Sequence, residues 1–528
     1  MALIQLHAVS FHYEQPFRQI FTNLDLVIDT QWRTGLTGNN GSGKSTLLAL
    51  IRGDRTPQSG QIVRPPVSNL YPATPTSGTT LEVIREAIAP YRYWEDEMDR
   101  LLRQGDEASL TAYNDLLDLY IRHKGYEVDG IIQREASAIG LEAILLRRPF
   151  ASLSGGEQTR ALMIALFTND NDYALIDEPT NHLDSAGRQK LADYLQSKQG
   201  YLLVSHDRDF LARATDHMVA FNAEGAEVIH GNFDAWYQQR QLRLFAEEKE
   251  REKITREVSQ LQQAARARRD HANDREKDKY GTGLKDKGYI GHMAARQMKR
   301  ARTIEHRIEG RIRDKEALLT HRDKQRPLKI HTASSARSEL AILQNITFGY
   351  DQQVLLQDFS LHIQPGDRIA ISGPNGSGKS TLLNLLARRV RPWAGSVVMP
   401  GHIRIAEAFQ QPLWRDGFLR DHLQNAGIDE VQFRQYMGVL NIDRDIFDTP
   451  MSAFSRGELR KTDLIRSLMT PSDLLIWDEP LNYLDLTTRE RIESSILEYQ
   501  PTIIFIEHDA AFVRNIATRV LDSRDFIA

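Results

Sequence analysis

The sequence predicts an α/β fold built from two copies of one unit joined by a long α-helical hairpin. Three observations predict it. Four motifs occur twice in the same order, short apolar runs recur in each copy, and a proline-free charged segment with helical spacing separates the copies.

The repeat is read directly. GNNGSGKST (Gly38–Thr46) returns as GPNGSGKST (Gly373–Thr381), and LSGGE (Leu153–Glu157) has a weaker echo in FSRGE (Phe454–Glu458). ALIDEPTNHLD (Ala174–Asp184) returns as LIWDEPLNYLD (Leu475–Asp485), and LLVSHD (Leu202–Asp207) as IFIEHD (Ile504–Asp509). Lys44 and Lys379 lie 335 apart, whereas Asp177 and Asp478 lie 301 apart, so the first copy holds 34 extra residues between its first two motifs. The surplus is expected as a charged helical insertion near residues 91–130.

The strands follow from the apolar runs. ALID (Ala174–Asp177), YLLVS (Tyr201–Ser205), LLIWD (Leu474–Asp478) and TIIFIE (Thr502–Glu507) suit strands buried on both faces. Between Trp236 and Arg326 there is no proline, and Ile254, Val258, Leu261 and Ala265 form one helical stripe; Ile304, Ile308 and Ile312 form another. The four glycines of YGTGLKDKGYIGHM (Tyr280–Met293) predict a turn between two antiparallel helices. The expected division is a first unit over 1–238, a hairpin over 239–330 with its tip at 280–293, and a second unit over 331–528.

Composition bounds the function. At 528 residues the chain exceeds one hydrophobic core. With no cysteine, disulfides, thiolate zinc sites and iron–sulfur clusters are excluded. No apolar run is long enough to span a bilayer and the N-terminus lacks a signal-peptide pattern, so a cytoplasmic location is expected. The net charge of −4 hides a division: residues 241–330 hold 25 Lys+Arg against 15 Asp+Glu, leaving 42 against 56 elsewhere. A basic segment on an acidic protein predicts a salt-sensitive contact with an anionic partner.

The paired motifs predict phosphate chemistry. In Gly38-Asn39-Asn40-Gly41-Ser42-Gly43-Lys44-Ser45-Thr46 and Gly373-Pro374-Asn375-Gly376-Ser377-Gly378-Lys379-Ser380-Thr381, glycines let successive N–H groups turn toward phosphates. Lys44 and Lys379 reach the β- and γ-phosphates of ATP, and the hydroxyls of Ser45 and Ser380 face Mg²⁺. A helix starting at each lysine adds its positive end. Asp177 and Asp478, closing apolar strands, are expected to hold the metal through its water shell. Glu178 and Glu479 are expected to orient the attacking water, and His206 and His508 to contact the γ-phosphate.

Taken together, the motifs resemble the ABC-F family: two ABC cassettes on one chain, no membrane domain and a charged two-helix linker. The resemblance implies that the cassettes close head to tail. Ser154, Gly155, Gly156 and Glu157 would then serve the nucleotide held by Lys379, and Ser455, Arg456 and Gly457 the one held by Lys44. Tyr13 and Tyr350 match the aromatic that stacks on adenine. The chain departs from the family at Phe454 and Arg456, where leucine and glycine are usual, and at Ala73, where a glutamine is usual; Gln410 fills that metal-facing position in the second cassette. The departures fall on the composite site built on Lys44, which is therefore expected to turn over more slowly.

Other ATPases of this kind fit less well. A membrane-transport motor would need a membrane partner, and cysteine-free sequence excludes zinc-bearing repair ATPases and the iron–sulfur recycling ATPase. Within ABC-F the chain is most similar to the antibiotic-resistance branch of the Lsa type, on DREKDKYG (Asp274–Gly281), Gly288–Arg300, Ile476–Asp485 and Ile506–Asp509. Leu481 and Glu507 stand where most members have threonine and serine. The basic C-terminal tail that some members carry is not expected. The resemblance implies a monomer that enters the bacterial ribosome's tRNA exit site, without DNA or membrane. Its linker would meet the P-site tRNA and large-subunit rRNA through Tyr280, Lys285, Lys287, Tyr289, His292, Met293, Arg296, Lys299 and Arg300. Protection against lincosamides, pleuromutilins and streptogramins A is implied; a housekeeping ABC-F translation factor is the alternative.

Overall fold

A computed structural model of the chain describes residues 2–278 and 328–526, apart from 15–16, 69–76, 169–172, 182, 223–224, 333–337, 352 and 400. Ala73, the hairpin tip, its second arm and all nine expected linker contacts lie outside the described residues. The chain forms two compact units, Met1–Asp234 with Pro327–Ala528, and Ala235–Arg326.

The first unit contains both α/β cassettes. In the first, β1 (Leu3–Glu14), β2 (Phe17–Asp29) and β4 (Ser59–Val63) form an antiparallel sheet in the order β2-β1-β4. A second sheet has the order β5-β6-β7-β3-β8-β9, from β3 (Arg33–Thr37), β5 (Val67–Ser68), β6 (Tyr173–Asp177), β7 (Tyr201–Val204), β8 (His217–Asn222) and β9 (Gly225–His230). All its pairs are parallel except β8 with β9. The second cassette repeats this with β10 (Ala341–Tyr350), β11 (Gln353–Ile363) and β13 (Ala394–Val398) ordered β11-β10-β13. Its parallel sheet runs β14-β15-β16-β12-β17, from β12 (Arg368–Ser372), β14 (Ile405–Ala408), β15 (Leu474–Asp478), β16 (Ile503–Ile506) and β17 (Arg519–Asp522).

The apolar runs are buried on both faces because each parallel strand has a layer on either side. In the first cassette Leu36, Leu175, Leu202 and Val204 join Leu47, Leu50 and Ile51 of the helix Lys44–Arg52 and Ile4, Leu6 and Leu26 of the antiparallel sheet. In the second, Trp477, Phe505 and Leu475 face the helical layer through Phe433, Leu464 and Leu468.

The extra residues of the first cassette form the helices Tyr91–Gln104 and Glu107–Arg122. Bridges Thr79–Pro149 and Phe418–Pro450 bracket the corresponding regions, 70 steps (149 − 79) against 32 (450 − 418). Tyr91, Trp94 and Tyr120 meet edge to face at the end of the helix pair away from its connecting turn, and the Tyr91 hydroxyl donates to His123 O at 2.6 Å. After β9 a single helix runs Phe233–Asp278, 46 residues; at 1.5 Å per residue it is roughly 70 Å long. No helix among the described residues is long and apolar enough to cross a membrane.

Candidate nucleotide sites

Three neighbouring strands build each site. The glycine-rich loop follows β3, the Asp177–Glu178 pair ends β6, and His206 follows β7; these strands are adjacent in the order β6-β7-β3. Their register sets Leu36, Val204 and Asp177 at one level. In the second cassette Ile371, Ile506 and Asp478 are level in the same way. Ligands of open α/β sheets bind at such carboxyl ends.

The loops need glycine for two reasons at once. Gly43 precedes its helix with φ 96°, a conformation side chains resist, and a Cβ there would lie 2.6 Å from Ile20 and Phe21. Gly378 precedes the helix Lys379–Leu386 with φ 89°. Lys44 Nζ donates to Gly38 O and Asn39 O at 2.8 and 3.1 Å, and Lys379 Nζ to Gly373 O and Pro374 O at 2.9 and 2.7 Å. Burial pushes both ammonium groups below the usual lysine range, against the opposing pull of Glu178 and Glu479.

Each acidic pair sits beside its loop. The Ser45 hydroxyl is close enough to Asp177, and that of Ser380 to Asp478, to oppose the upward push of burial on each carboxyl. Asp478 Oδ1, Glu178 Oε1, Ser42 Oγ and Ser377 Oγ are buried without a hydrogen-bond partner. Hard oxygen donors of this kind suit Mg²⁺. Among the described residues no three His, Asp or Glu side chains converge to cage an ion alone. The carboxylate and hydroxyl would therefore share it with a ligand's phosphates. Gln410 lies exposed two residues beyond β14, the strand next to β15.

The two glutamates share geometry and differ in electrostatics. Both have left-handed backbone, φ 47° at Glu178 and 52° at Glu479. His206 Nε2 lies 3.5 Å from Glu178 Oε1, and His508 Nε2 lies 3.6 Å from Glu479 Oε1. Burial, then neighbouring Asp177, push the Glu178 carboxyl up to about 7. At Glu479 burial also pushes upward, but the nearby His508 and the hydrogen bond from Asn482 (2.6 Å) hold it below the usual range. Burial and the cations Lys44 and Arg489 push His206 well below its ordinary value.

The site on Lys44 draws on both cassettes. A cavity of about 460 Å³ is lined by Tyr13, Lys44, Ser45, Asp177, Glu178 and His206 from the first cassette and by Gly457, Asn482, Tyr483 and Arg489 from the second. An adjoining cavity sets Asn39–Ser42 opposite Ser455, Gly457, Glu458 and Lys461. Asn40 N donates to Asp485 Oδ2 at 2.8 Å, Asn40 Nδ2 to Tyr483 O at 2.8 Å, and Thr487 Oγ1 to Asn39 Oδ1 at 2.8 Å. The second loop mirrors the first of these: Asn375 N reaches Asp184 Oδ2 at 3.4 Å.

The remaining expected residues fall as follows. Ser455 caps the helix Arg456–Met469, accepting from Glu458 N while Glu458 returns a bond to Ser455 N. Arg456 is thus the first residue of that helix. In the first cassette Gly155 and Gly156 open the helix Gly155–Thr168, and Ser154 Oγ donates to Glu157 Oε2 at 2.8 Å. The Tyr13 hydroxyl is 3.0 Å from Thr46 Oγ1, its ring edge-on to Phe11. Tyr350 is half exposed and edge-on to Phe348.

Sequence reasoning missed Asp184, Asp485, Asn482, Tyr483 and Arg489. The first four stand inside the repeated Asp-Glu-Pro segments, so the signal was present. Arg489, whose Nε donates to Leu484 O, repeats Arg188 at the same 301-residue offset, and Arg188 donates to Leu183 O in the same way, so the signal lay four positions beyond the segment's last aspartate. The structure also joins two residues noted separately: Leu481 N donates to Glu507 Oε1 at 2.7 Å, whereas in the first cassette Thr180 Oγ1 and Ser205 Oγ are 3.3 Å apart.

With that geometry in place, residues 21–181 and 356–482 match the family model described as ABC transporter. The chain belongs to this family. Its two ABC cassettes are similar along nearly their whole length to ABC transporter F family member 5 of Arabidopsis thaliana, 28% identical over 96% of this chain and 74% of that one. They are similar also to tylosin resistance ATP-binding protein TlrC of Streptomyces fradiae, 28% identical over 96% and 94%, and to ATP-binding protein Uup of Escherichia coli K12, 26% over 98% and 80%. Among solved structures, archaeal ribosome recycling factor aABCE1 in complex with ribosomal stalk protein aP1 matches at TM-score 0.60 and 18% identity, covering 98% of this chain and 87% of that one. That likeness establishes a shared fold of tandem ABC cassettes.

Proposed function

We propose that this chain is an ABC-F ATPase that binds the bacterial ribosome at the tRNA exit site and shields the peptidyl-transferase centre from antibiotics. The observation behind the ATPase reading is the Lys44 cavity, walled by one cassette's phosphate loop and by Gly457, Tyr483 and Arg489 of the other. In such a cleft the loop N–H groups and Lys44 bind the phosphates, and Ser455 and Gly457 close on the far side. Ser45 with Asp177, and Ser380 with Asp478, would hold Mg²⁺, which supplies charge neutralisation on the phosphate oxygens. Glu178 and Glu479 orient water and His206 and His508 approach the γ-phosphate; Tyr13 and Tyr350 stack on adenine.

The proposed division is cassettes over 1–238 and 331–528 with a linker over 239–330, the protein acting as a cytoplasmic monomer. The basic linker, whose residues 241–330 carry a net +10, supports contact with RNA by shape and phosphate. The match to a protein named for tylosin resistance supports the protective role, and the Lsa-type branch is the finer proposal. Relatives whose names mention no resistance match as closely, which favours a second reading: a housekeeping ABC-F translation factor.

Susceptibility of a sensitive bacterial strain to lincosamides, pleuromutilins and streptogramins A tests the proposal. Expression of the native chain should protect, and the Glu178→Gln/Glu479→Gln pair should not. A native chain that protects against nothing, with a double variant that arrests growth on ribosomes, would establish the second reading.

A further inference from the structure

The helix Arg456–Met469 starts at the signature Ser455 and buries Arg460 one turn later, at 5% exposure. Arg460 Nη2 donates to Asp478 O, and to Glu479 O at 2.8 Å. These two carbonyls belong to the peptides on either side of the Glu479 Cα. Pinning both planes fixes the backbone rotation between them, which is where Glu479 holds its left-handed φ of 52°. Non-glycine residues in that region are strained and persist only when neighbours hold them.

Other bonds to this turn are common to both cassettes. Glu479 N donates to Ile506 O as Glu178 N does to Val204 O, and Asn482 N reaches Glu479 O as Asn181 N reaches Glu178 O. The guanidinium is an addition. The 301-residue offset puts Thr159 at the corresponding place, and its hydroxyl turns back to Gly155 O at 3.0 Å. A threonine is too short and has one donor, so it cannot brace two successive carbonyls as arginine does.

We infer that Arg460 is a positioning residue for the Lys379 site, bracing the Glu479 turn from the signature helix so that the carboxylate is held where it orients water. The inference rests on the ATPase reading. It also assigns the brace to a helix whose first turn, at Ser455 and Gly457, faces the other nucleotide loop. The two sites are thus built with unequal support.

The test uses the full chain carrying Glu178→Gln, so that hydrolysis reports the Lys379 site. Arg460→Met should lower single-turnover hydrolysis about tenfold, Arg460→Lys should recover it to within about threefold, and affinity for a fluorescent ATP analogue should change less than about twofold in either. Melting temperatures identify any variant that fails to fold, and Arg460→Lys keeps a buried donor in that event. Equal losses of rate and affinity in both variants, or an unchanged rate in Arg460→Met, would overturn the inference and leave the ATPase reading standing. A Glu178→Gln parent that binds the analogue without hydrolysing ATP would overturn both.

Discussion

Arg208 Nη2 donates to Glu493 Oε1 across 2.6 Å, one residue from each cassette, with about a tenth of either side chain exposed. Asn515 Nδ2 lies 3.5 Å from the other carboxylate oxygen, and Arg514 meets Asp209 nearby at 3.3 Å. The motif offsets put Ala510 and Ala192 at the positions corresponding to Arg208 and Glu493. The charged junction therefore exists on one side of the duplicated pair only.

Removing one partner of a buried ion pair strands the other, at a cost of about 3–5 kcal/mol. Glu493→Leu should lower the thermal midpoint clearly, and Arg208→Met/Glu493→Leu should recover most of the loss. A double variant no more stable than Glu493→Leu would show that the pair is not coupled.

Glu178→Gln and Glu479→Gln should differ in single-turnover ATP hydrolysis. The Lys44 site, served by a signature with Arg456, is expected to be slower by about tenfold. Rapid-quench measurement of each variant, with rates within a factor of about two, would remove the inequality.

Leu481 and Glu507 should behave as one unit. Glu507→Ser leaves the Leu481 N–H without its acceptor, an unmade buried hydrogen bond worth about 1–3 kcal/mol. Leu481→Thr/Glu507→Ser, which copies Thr180 and Ser205, should restore part of the stability lost by Glu507→Ser. Urea denaturation of the three proteins measures the coupling.

Acid should weaken the first cassette at Asp216. Burial pushes this carboxyl up, yet hydrogen bonds from His217 and Arg33 outweigh it and hold the group below the usual aspartate range. A carboxyl with depressed folded pKa stabilises fully above its unfolded pKa and loses that contribution as pH falls through the folded value. The melting-temperature gap between the native chain and Asp216→Asn should be present at pH 7 and close below that value. A gap independent of pH would mean that the charge contributes nothing.

Much of the site was legible because phosphate chemistry needs particular residues at fixed short spacings. Lys44, Ser45, Asp177, Glu178 and their counterparts are read from two local segments each, and adjacent parallel strands bring those segments level. Arg460 was not legible, because it acts through a long side chain on carbonyls 18 and 19 residues away and has no counterpart in the other copy. The 34-residue surplus announced the insertion, while the aromatic contacts of Tyr91, Trp94 and Tyr120 show how its two helices pack at the end away from their connecting turn.

By itself the sequence determined the duplicated α/β fold, the phosphate loops and the acidic strand ends, since these rest on period, glycine and local order. Only the tertiary structure decided which residues of one cassette wall the other's loop, and which side has the buried pair Arg208–Glu493. It also decided that Glu178 and Glu479, identical in motif, sit in different electrostatic surroundings. Burial and long-range pairing set those properties, and neither is a function of neighbours along the chain.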